Sequence, residues 1–317
     1  MINNITIKSC IDNIDLDVNY IIPEAKIKGL VIIAHGMSEH KERYDYFLEI
    51  LAQSSYLGIV YDHRGHGKSV KEASDLGYFY SEDETTLSQD LYNVLKFFQN
   101  RYQINNTILF AHSMGTLIAR SFLQKYDDEI TKVILCGPPT KNNLVDIGLG
   151  LASLSKIFGG AKKPNKFLNY LTFNSFNKPY QNKNEWLSKS KENVINYNND
   201  DLCGFTFTTN GFLNLYKLQK RVFQPKNYLV KNKNLPIFLI AGSDDPVIGN
   251  LKKFADLKIF FQKLGYQNTT SKTYDSLRHE LLQEEEKDIV IQDILDFINE
   301  KKSDKIEWSQ ISSANLN

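Results

Sequence analysis

The sequence predicts an α/β protein, a mostly parallel sheet covered by helices on both faces and interrupted by a helical insertion. Three observations predict it. Between residues 30 and 136, short apolar runs alternate with helix-spaced amphipathic segments. The runs are near-continuous, as in LVIIA at 30–34, which is the pattern of a strand buried on both faces. The alternation stops at Gly137-Pro138-Pro139 and resumes only with PIFLIA at 236–241.

Residues 5–8 and 14–22 are extended segments that meet near Asp12-Asn13, so an antiparallel hairpin opens the chain. The buried run 30–34 follows. Residues 43–54 have helical spacing, with Tyr46, Phe47, Ile50 and Leu51 on one face. Residues 57–61 form the next strand, and 87–98 the next helix, with Leu91, Leu95 and Phe98 in one stripe. The run 108–110 leads into a helix at about 115–125, and 133–136 is a further buried strand. This βαβ order implies parallel pairing through right-handed crossovers.

Residues 140–233 break the rhythm. They are rich in Asn, Lys and aromatic residues, with amphipathic stretches at 145–158, 183–196 and 210–222 and no strong buried strand. A structureless loop of that length would be exceptional, so a small helical insertion is expected. The sheet pattern then resumes: strand 236–241, helix 250–263, strand 270–274, helix 284–300. The expected organisation is a core of 1–139 and 234–303, a cap at 140–233 and a polar tail at 304–317.

Composition narrows the function. Lys and Arg number 38 against 37 Asp and Glu, which argues against nucleic acid as partner, since backbone binding needs a concentrated positive footprint. Cys10, Cys136 and Cys203 form no disulfide framework and suit a reducing compartment. The opening residues MINNITIKSC lack a basic stretch followed by an apolar run, so no secretion signal is expected, and the location expected is cytoplasmic. The apolar runs are too short for a membrane span.

The string TILFAHSMGTLIARSFL at 107–123 carries the chemistry. A short apolar strand meets Ser113, flanked by small residues, and a helix follows at once. That is the setting of a nucleophile elbow, with Ala111 in place of the first Gly of G-x-S-x-G. The tripeptide S-x-G alone is uninformative, because 22 Ser and 17 Gly in 317 residues produce it about once by chance. Its position at a strand C-terminus is where open parallel sheets bind ligands. A hydroxyl nucleophile needs a base. His279, in SLRHELL, is the only His after residue 112 and precedes the last helix. The orienting carboxylate should lie between them at a strand end. Asp244 and Asp245, in IAGSDDPV, both qualify; Pro246 would rigidify the loop after Asp245 and favours it. The Met114 N–H, at a helix start, and the Met37 N–H, in the loop after the first buried strand, are the candidate oxyanion donors.

Four strings in fixed order now carry a resemblance: AHGMSEHKERY (34–44), YDHRGHGKS (61–69), AHSMG (111–115) and GSDDPV (242–247), closed by RHE (278–280). Together they resemble the α/β-hydrolase superfamily, specifically its monoacylglycerol lipase and lysophospholipase-like group, also described as serine aminopeptidase S33. DLCGFTFTTNGFLNLY (201–216) is similar to that group's return from the lid. The resemblance implies the α/β-hydrolase fold with a helical cap. It implies Ser113 as nucleophile, Asp245 as acid, His279 as base, and Met37 and Met114 as oxyanion-hole positions. Ala111 departs from the usual Gly, and Met37-Ser38 stands where small residues are frequent in monoglyceride lipases.

Other clusters read as structural. His35, His40, His63 and His66 invite a zinc site, but His35 and His63 fall at strand ends, where they are expected to brace the active-site base. Asp62, Arg64, Gly65 and Gly67 suit a buried charged turn. GHGKS is no phosphate loop, because Asp62 stands where that motif requires Gly.

The activity expected is cofactor-free, metal-free two-step hydrolysis of a small lipid-like ester. The same triad would equally serve peptides, thioesters or short carboxylic esters, and the fold can also carry a non-catalytic binding protein. In the insertion, Leu149, Leu151, Leu154, Ile157 and Phe158, with Phe205, Phe207 and Phe212, are candidates for an acyl pocket or for the insertion's own core. A lid helix there is a candidate for transient contact with micelles or membrane surfaces.

Overall fold

The computed structural model describes residues 1–299. Eight strands form one sheet in the order β1-β2-β4-β3-β5-β6-β7-β8. β1 (Asn3–Lys8) and β2 (Asp15–Ile21) are the expected antiparallel hairpin, and β2 also runs antiparallel to β4 (Tyr56–Tyr61). From there the sheet is parallel through β3 (Gly29–Ala34), β5 (Thr107–His112), β6 (Lys132–Cys136), β7 (Ile237–Gly242) and β8 (Thr269–Tyr274). Every residue of β3, β4, β5 and β7 is buried, as their near-continuous apolar sequences require.

Strand alternation divides the core between two faces. Leu30, Ile32, Leu109 and Ala111 pack with α2 (Thr86–Tyr102), α3 (Met114–Tyr126) and α8 (Leu251–Leu264). Val31, Ile33, Ile108 and Phe110 pack with α1 (Asp45–Gln53) and α9 (Lys287–Asn299). The α1 face differs from the expected one. Phe47, Leu48 and Leu51 point inward, while Tyr46 is 46% exposed. A 3₁₀ turn at Lys41–Tyr44 precedes the helix and buries Tyr44, which rotates the inward stripe by one position.

The segment 140–233 contains α4 (Val145–Gly159), α5 (Lys166–Asn177), α6 (Lys191–Asn199) and α7 (Thr209–Arg221). α5 carries apolar and aromatic residues around most of its circumference and buries only Leu168 fully, so no stripe marks it in the sequence. Its start is set by Asn165, whose side chain accepts from Leu168 N–H at 3.0 Å. α7 packs on α4 and on the core helix α3. Phe207 and Phe212 are buried in the main core, with Phe207 5.2 Å from His66, so they do not line an acyl pocket. Leu154, Ile157 and Phe158 are exposed and face outward. No helix among the described residues is long and apolar enough to cross a membrane. The tail expected at 304–317 lies outside the described residues, as do residues 300–303 of the expected core.

Candidate active site

Ser113 sits between β5 and α3 with φ 51° and ψ −119°, a positive-φ conformation that a non-Gly residue adopts only where its surroundings impose it. The imposition comes from the α3 side. A Cβ on Gly115 would collide with the carbonyl oxygens of Ala34 and His35, so the turn can pack on β3 only through Gly. Ala111 is fully buried within β5, where its methyl packs into the core. The tight approach therefore falls on Gly115 rather than on residue 111.

The three side chains singled out in the sequence are brought together. His279 Nε2 lies 2.8 Å from Ser113 Oγ, and His279 Nδ1 lies 2.9 Å from Asp245 Oδ2. Asp245 Oδ1 accepts from Val247 N–H at 2.8 Å, which fixes the carboxylate at the start of the turn Pro246–Ile248. Asp244 is exposed, and its side chain accepts from Ser243 Oγ at 3.2 Å, away from the histidine. Burial pushes the His279 imidazolium down, but the charge and hydrogen bond of Asp245 outweigh it, so its pKa is raised.

The loop after β3 lies against the elbow: a Cβ on Gly36 would be 3.2 Å from Ser113 Cβ. Gly36 N–H donates to Glu39 Oε1, which curls the loop. Met37 follows in that loop, and Met114 opens α3, where the first N–H groups have no intrahelical acceptor.

His35 and His63 do not reach His279. They bond to each other's backbone instead, His63 N–H to His35 Nε2 at 3.0 Å and His63 Nε2 to His35 O at 3.1 Å. With His66 they form a buried group whose desolvation lowers all three pKa values, to about 3 for His63 and His66. Both roles in that region are structural: Asp62 takes Lys41, and Arg64 takes Asp90 and Asp12. The imidazole that packs against His279 is His112, at 4.7 Å between centroids. Burial, followed by the charge of His279, lowers the His112 pKa to about 4, so it stays neutral there.

Sequence reasoning missed several residues around this centre. Gly137 has φ +56°, and a Cβ on it would lie 2.9 Å from His279 Nδ1 and 3.2 Å from Asp245 Oδ2. Its place directly before Pro138-Pro139 was the available signal. Arg43 and Glu280 pair beside His279, and Trp186 from the insertion packs on it. Nothing in the linear sequence joins these.

One group of possible metal ligands is present among the described residues, with ligand atoms of His40, Asp200 and Cys203 within 4.8 Å of one another. The donor chemistry does not suit a cation. Both His40 nitrogens engage carboxylates, Glu42 at 2.6 Å and Asp200 at 2.8 Å. Burial lowers the His40 pKa, the two carboxylates outweigh that, and the net rise favours an imidazolium without a free lone pair.

Comparison with known proteins supplies the family and supports the fold. The family model described as "Serine aminopeptidase, S33" matches residues 25–286. The chain is 23% identical over 278 residues to a monoacylglycerol lipase of Mycolicibacterium smegmatis, covering 87% of this chain and 90% of that protein. It is 26% identical over 263 residues to the monoglyceride lipase of Rattus norvegicus, covering 83% and 78%. In fold it is similar to a thermostable carboxyl esterase from Bacillus coagulans, with a TM-score of 0.85 at 22% identity over 94% of this chain and 98% of that one. A lipase in an open form gives a TM-score of 0.81 at 22% identity, with the same coverage of both chains.

Proposed function

The chain belongs to the α/β-hydrolase family described as serine aminopeptidase, S33, and from that premise we propose that it hydrolyses carboxylic esters of lipid-like substrates, monoacylglycerols or lysophospholipids, through an acyl-enzyme. The observation that carries this reading is the hydrogen-bonded chain from Ser113 through His279 to Asp245 at a strained elbow.

In this mechanism Ser113 Oγ attacks the ester carbonyl while His279 Nε2 takes its proton. Asp245 holds Nδ1 protonated and stabilises the imidazolium that forms. The N–H groups of Met37 and Met114 receive the developing oxyanion, where one such donor is worth roughly 3 kcal/mol. His279 then passes its proton to the departing alcohol. Water cleaves the acyl-enzyme with the same base. The residues needed are all in the chain, and the chemistry calls for no metal or organic cofactor.

Two observations support a lipid-like acyl group. Curated relatives carry the names monoacylglycerol lipase, monoglyceride lipase and probable lysophospholipase. The segment 140–233, which we read as the cap, exposes Ile147, Leu154, Ile157 and Phe158 on α4 and Phe167 and Leu171 on α5. Such a face suits transient contact with a micelle or membrane surface. An aminopeptidase reading calls for a carboxylate to receive the substrate's amino terminus. Glu39 and Glu280, the carboxylates beside the histidine, are both engaged by Arg43.

The test is labelling by a fluorophosphonate, followed by turnover of a panel of monoacylglycerols, lysophospholipids, p-nitrophenyl esters and aminoacyl amides. Labelling that is abolished by Ser113→Ala, with the monoacyl lipids the best substrates, is the expected result. Preference for the amides would replace the esterase reading with the peptidase one, and absence of labelling would favour a binding protein.

A further inference from the structure

The short turn Glu185–Leu187 of the cap segment is fastened to the loop of His279 from both sides. Arg278 Nη1 donates to Glu185 O at 2.6 Å and to Ser188 O at 3.0 Å. Glu280 N–H donates to Leu187 O at 2.7 Å. Ser188 Oγ and Lys189 N–H donate to Glu284 Oε2 at 2.7 Å and 2.8 Å and close the junction. The two neighbours of His279 in sequence therefore hold the turn whose middle residue is Trp186. This part of the cap segment is fixed relative to the histidine.

Trp186 faces His279 at 5.3 Å between ring centroids, inclined by 38°. Phe176 at 5.2 Å and Phe173 at 6.3 Å back it from the cap side. The residue is only 8% exposed, yet its indole Nε1 has no acceptor among the described residues. An unpaired buried N–H is costly, and an apolar ring would fill the same wall without that cost. The N–H is therefore a buried donor that a substrate acceptor would satisfy.

The mechanism says which part of a substrate that is. His279 delivers its proton to the departing alcohol, so the oxygen of that alcohol must come within hydrogen-bond reach of Nε2. A ring packed on that imidazole lies close to the atom from which the departing alcohol takes its proton. Resting on the esterase reading above, we propose that Trp186 is a specificity-determining residue whose indole N–H donates to a free hydroxyl of a glycerol-like leaving group.

The test compares the full chain with Trp186→Phe, which keeps an aromatic ring and removes the N–H. Initial rates are measured below the critical micelle concentration on 1-decanoylglycerol, 1-decanoyl-lysophosphatidylcholine and ethyl decanoate. The three share one acyl group, and only the first two carry a free glycerol hydroxyl. The expected result is that the ratio of kcat/KM for 1-decanoylglycerol over ethyl decanoate falls about tenfold, mostly through KM, as loss of one hydrogen bond implies. Any loss common to both esters cancels in the ratio. A matching fall for the lysophospholipid assigns the contact to the central hydroxyl, and a fall for the glyceride alone assigns it to the terminal one. An unchanged ratio overturns the proposal and leaves Trp186 as packing. If Trp186→Phe does not fold, β-(3-benzothienyl)alanine at position 186 replaces N–H by sulfur in the same bicyclic shape, and the same ratio decides. If the unmodified chain cleaves none of the three, the esterase reading itself fails, and this inference with it.

Discussion

Arg43 and Glu280 meet in two parallel hydrogen bonds, Nη1 to Oε1 at 2.7 Å and Nη2 to Oε2 at 2.8 Å, directly beside His279. The pair is nearly buried and is shared by three parts of the chain. Arg43 comes from the loop after β3, Glu280 from the histidine loop, and Asn193 of α6 donates to Glu280 Oε2 at 2.7 Å. Arg43 also reaches Glu39 at 2.6 Å and lies over the Tyr197 ring at 5.0 Å. Burial raises the Glu280 pKa on its own, but the Arg43 charge and hydrogen bonds outweigh it and keep the carboxylate ionised.

Arg43→Met should therefore leave Glu280 and Glu39 buried without their shared counter-ion, at a cost of about 3–5 kcal/mol. Arg43→Met with Glu280→Leu should recover part of that loss, because the second change removes one of the two stranded charges. Urea unfolding of the four species measures this. A single variant within about 1 kcal/mol of the unmodified chain would contradict the assignment.

The two adjacent aspartates should behave unequally. Asp245→Asn is expected to lower kcat on a good ester substrate by about 10⁴-fold, because the amide holds the wrong imidazole tautomer. Asp244→Asn should change it less than about threefold, as an exposed side chain outside the hydrogen-bonded chain. Comparable losses in steady-state assays would remove Asp245 from the proposed role.

The pH profile follows from the sign of the His279 shift. Its pKa is raised above 6.5, since Asp245 outweighs the opposing effect of burial. The neutral base is reached only above that value, so kcat/KM should rise along an acid limb with its midpoint above 6.5. Asp245→Asn removes the charge and should move the midpoint of the residual activity downward. Profiles taken between about pH 5 and 9 decide it, and an unmoved midpoint would assign the limb to another group.

His40 ties the loop after β3 to the cap segment through Asp200, with Glu42 on its other nitrogen. Against the opposing effect of burial, the carboxylates hold the His40 pKa above 6.5, and its protonation contributes stability that is complete below 6.5 and lost as pH rises through the folded value. The carboxyl pKa values of Asp200 and Glu42 are lowered, burial again opposing, so their share is present above 3.8 and 4.5 and lost as pH falls through the folded values. The clasp should be strongest between about 4.5 and 6.5. His40→Gln should thus lower the melting temperature most near pH 5.5 and much less near pH 8.5, by roughly the size of the lost linkage. A deficit equal at both values would mean that His40 is not charged in the clasp.

Much of the fold was legible because its information is local. Near-continuous apolar runs mark strands buried on both faces, and β3, β4, β5 and β7 are such strands. The hairpin of β1 and β2 was signalled by its turn residues. The helix face on α1 was displaced because a 3₁₀ turn set its phase, and α5 passed unseen because its apolar residues surround the helix rather than form a stripe. His35 and His63 were misread for a related reason. Strand ends place them near the site, but only packing decides that they turn to each other and leave His112 against His279.

The sequence by itself determined the chemistry on offer: a serine at a strand-to-helix turn, one downstream histidine, and a carboxylate between them in chain order. Those are properties of residue type, spacing and order. Tertiary structure set Asp245, the residue the sequence favoured, against the imidazole and left the adjacent Asp244 exposed. It alone brought Gly137 and Trp186 to the same histidine, and Arg43 to the adjacent Glu280, from segments far apart in the chain. The physical reason is that a sequence records which groups a chain carries, whereas the direction of a buried side chain is fixed by what the rest of the chain leaves it to bond.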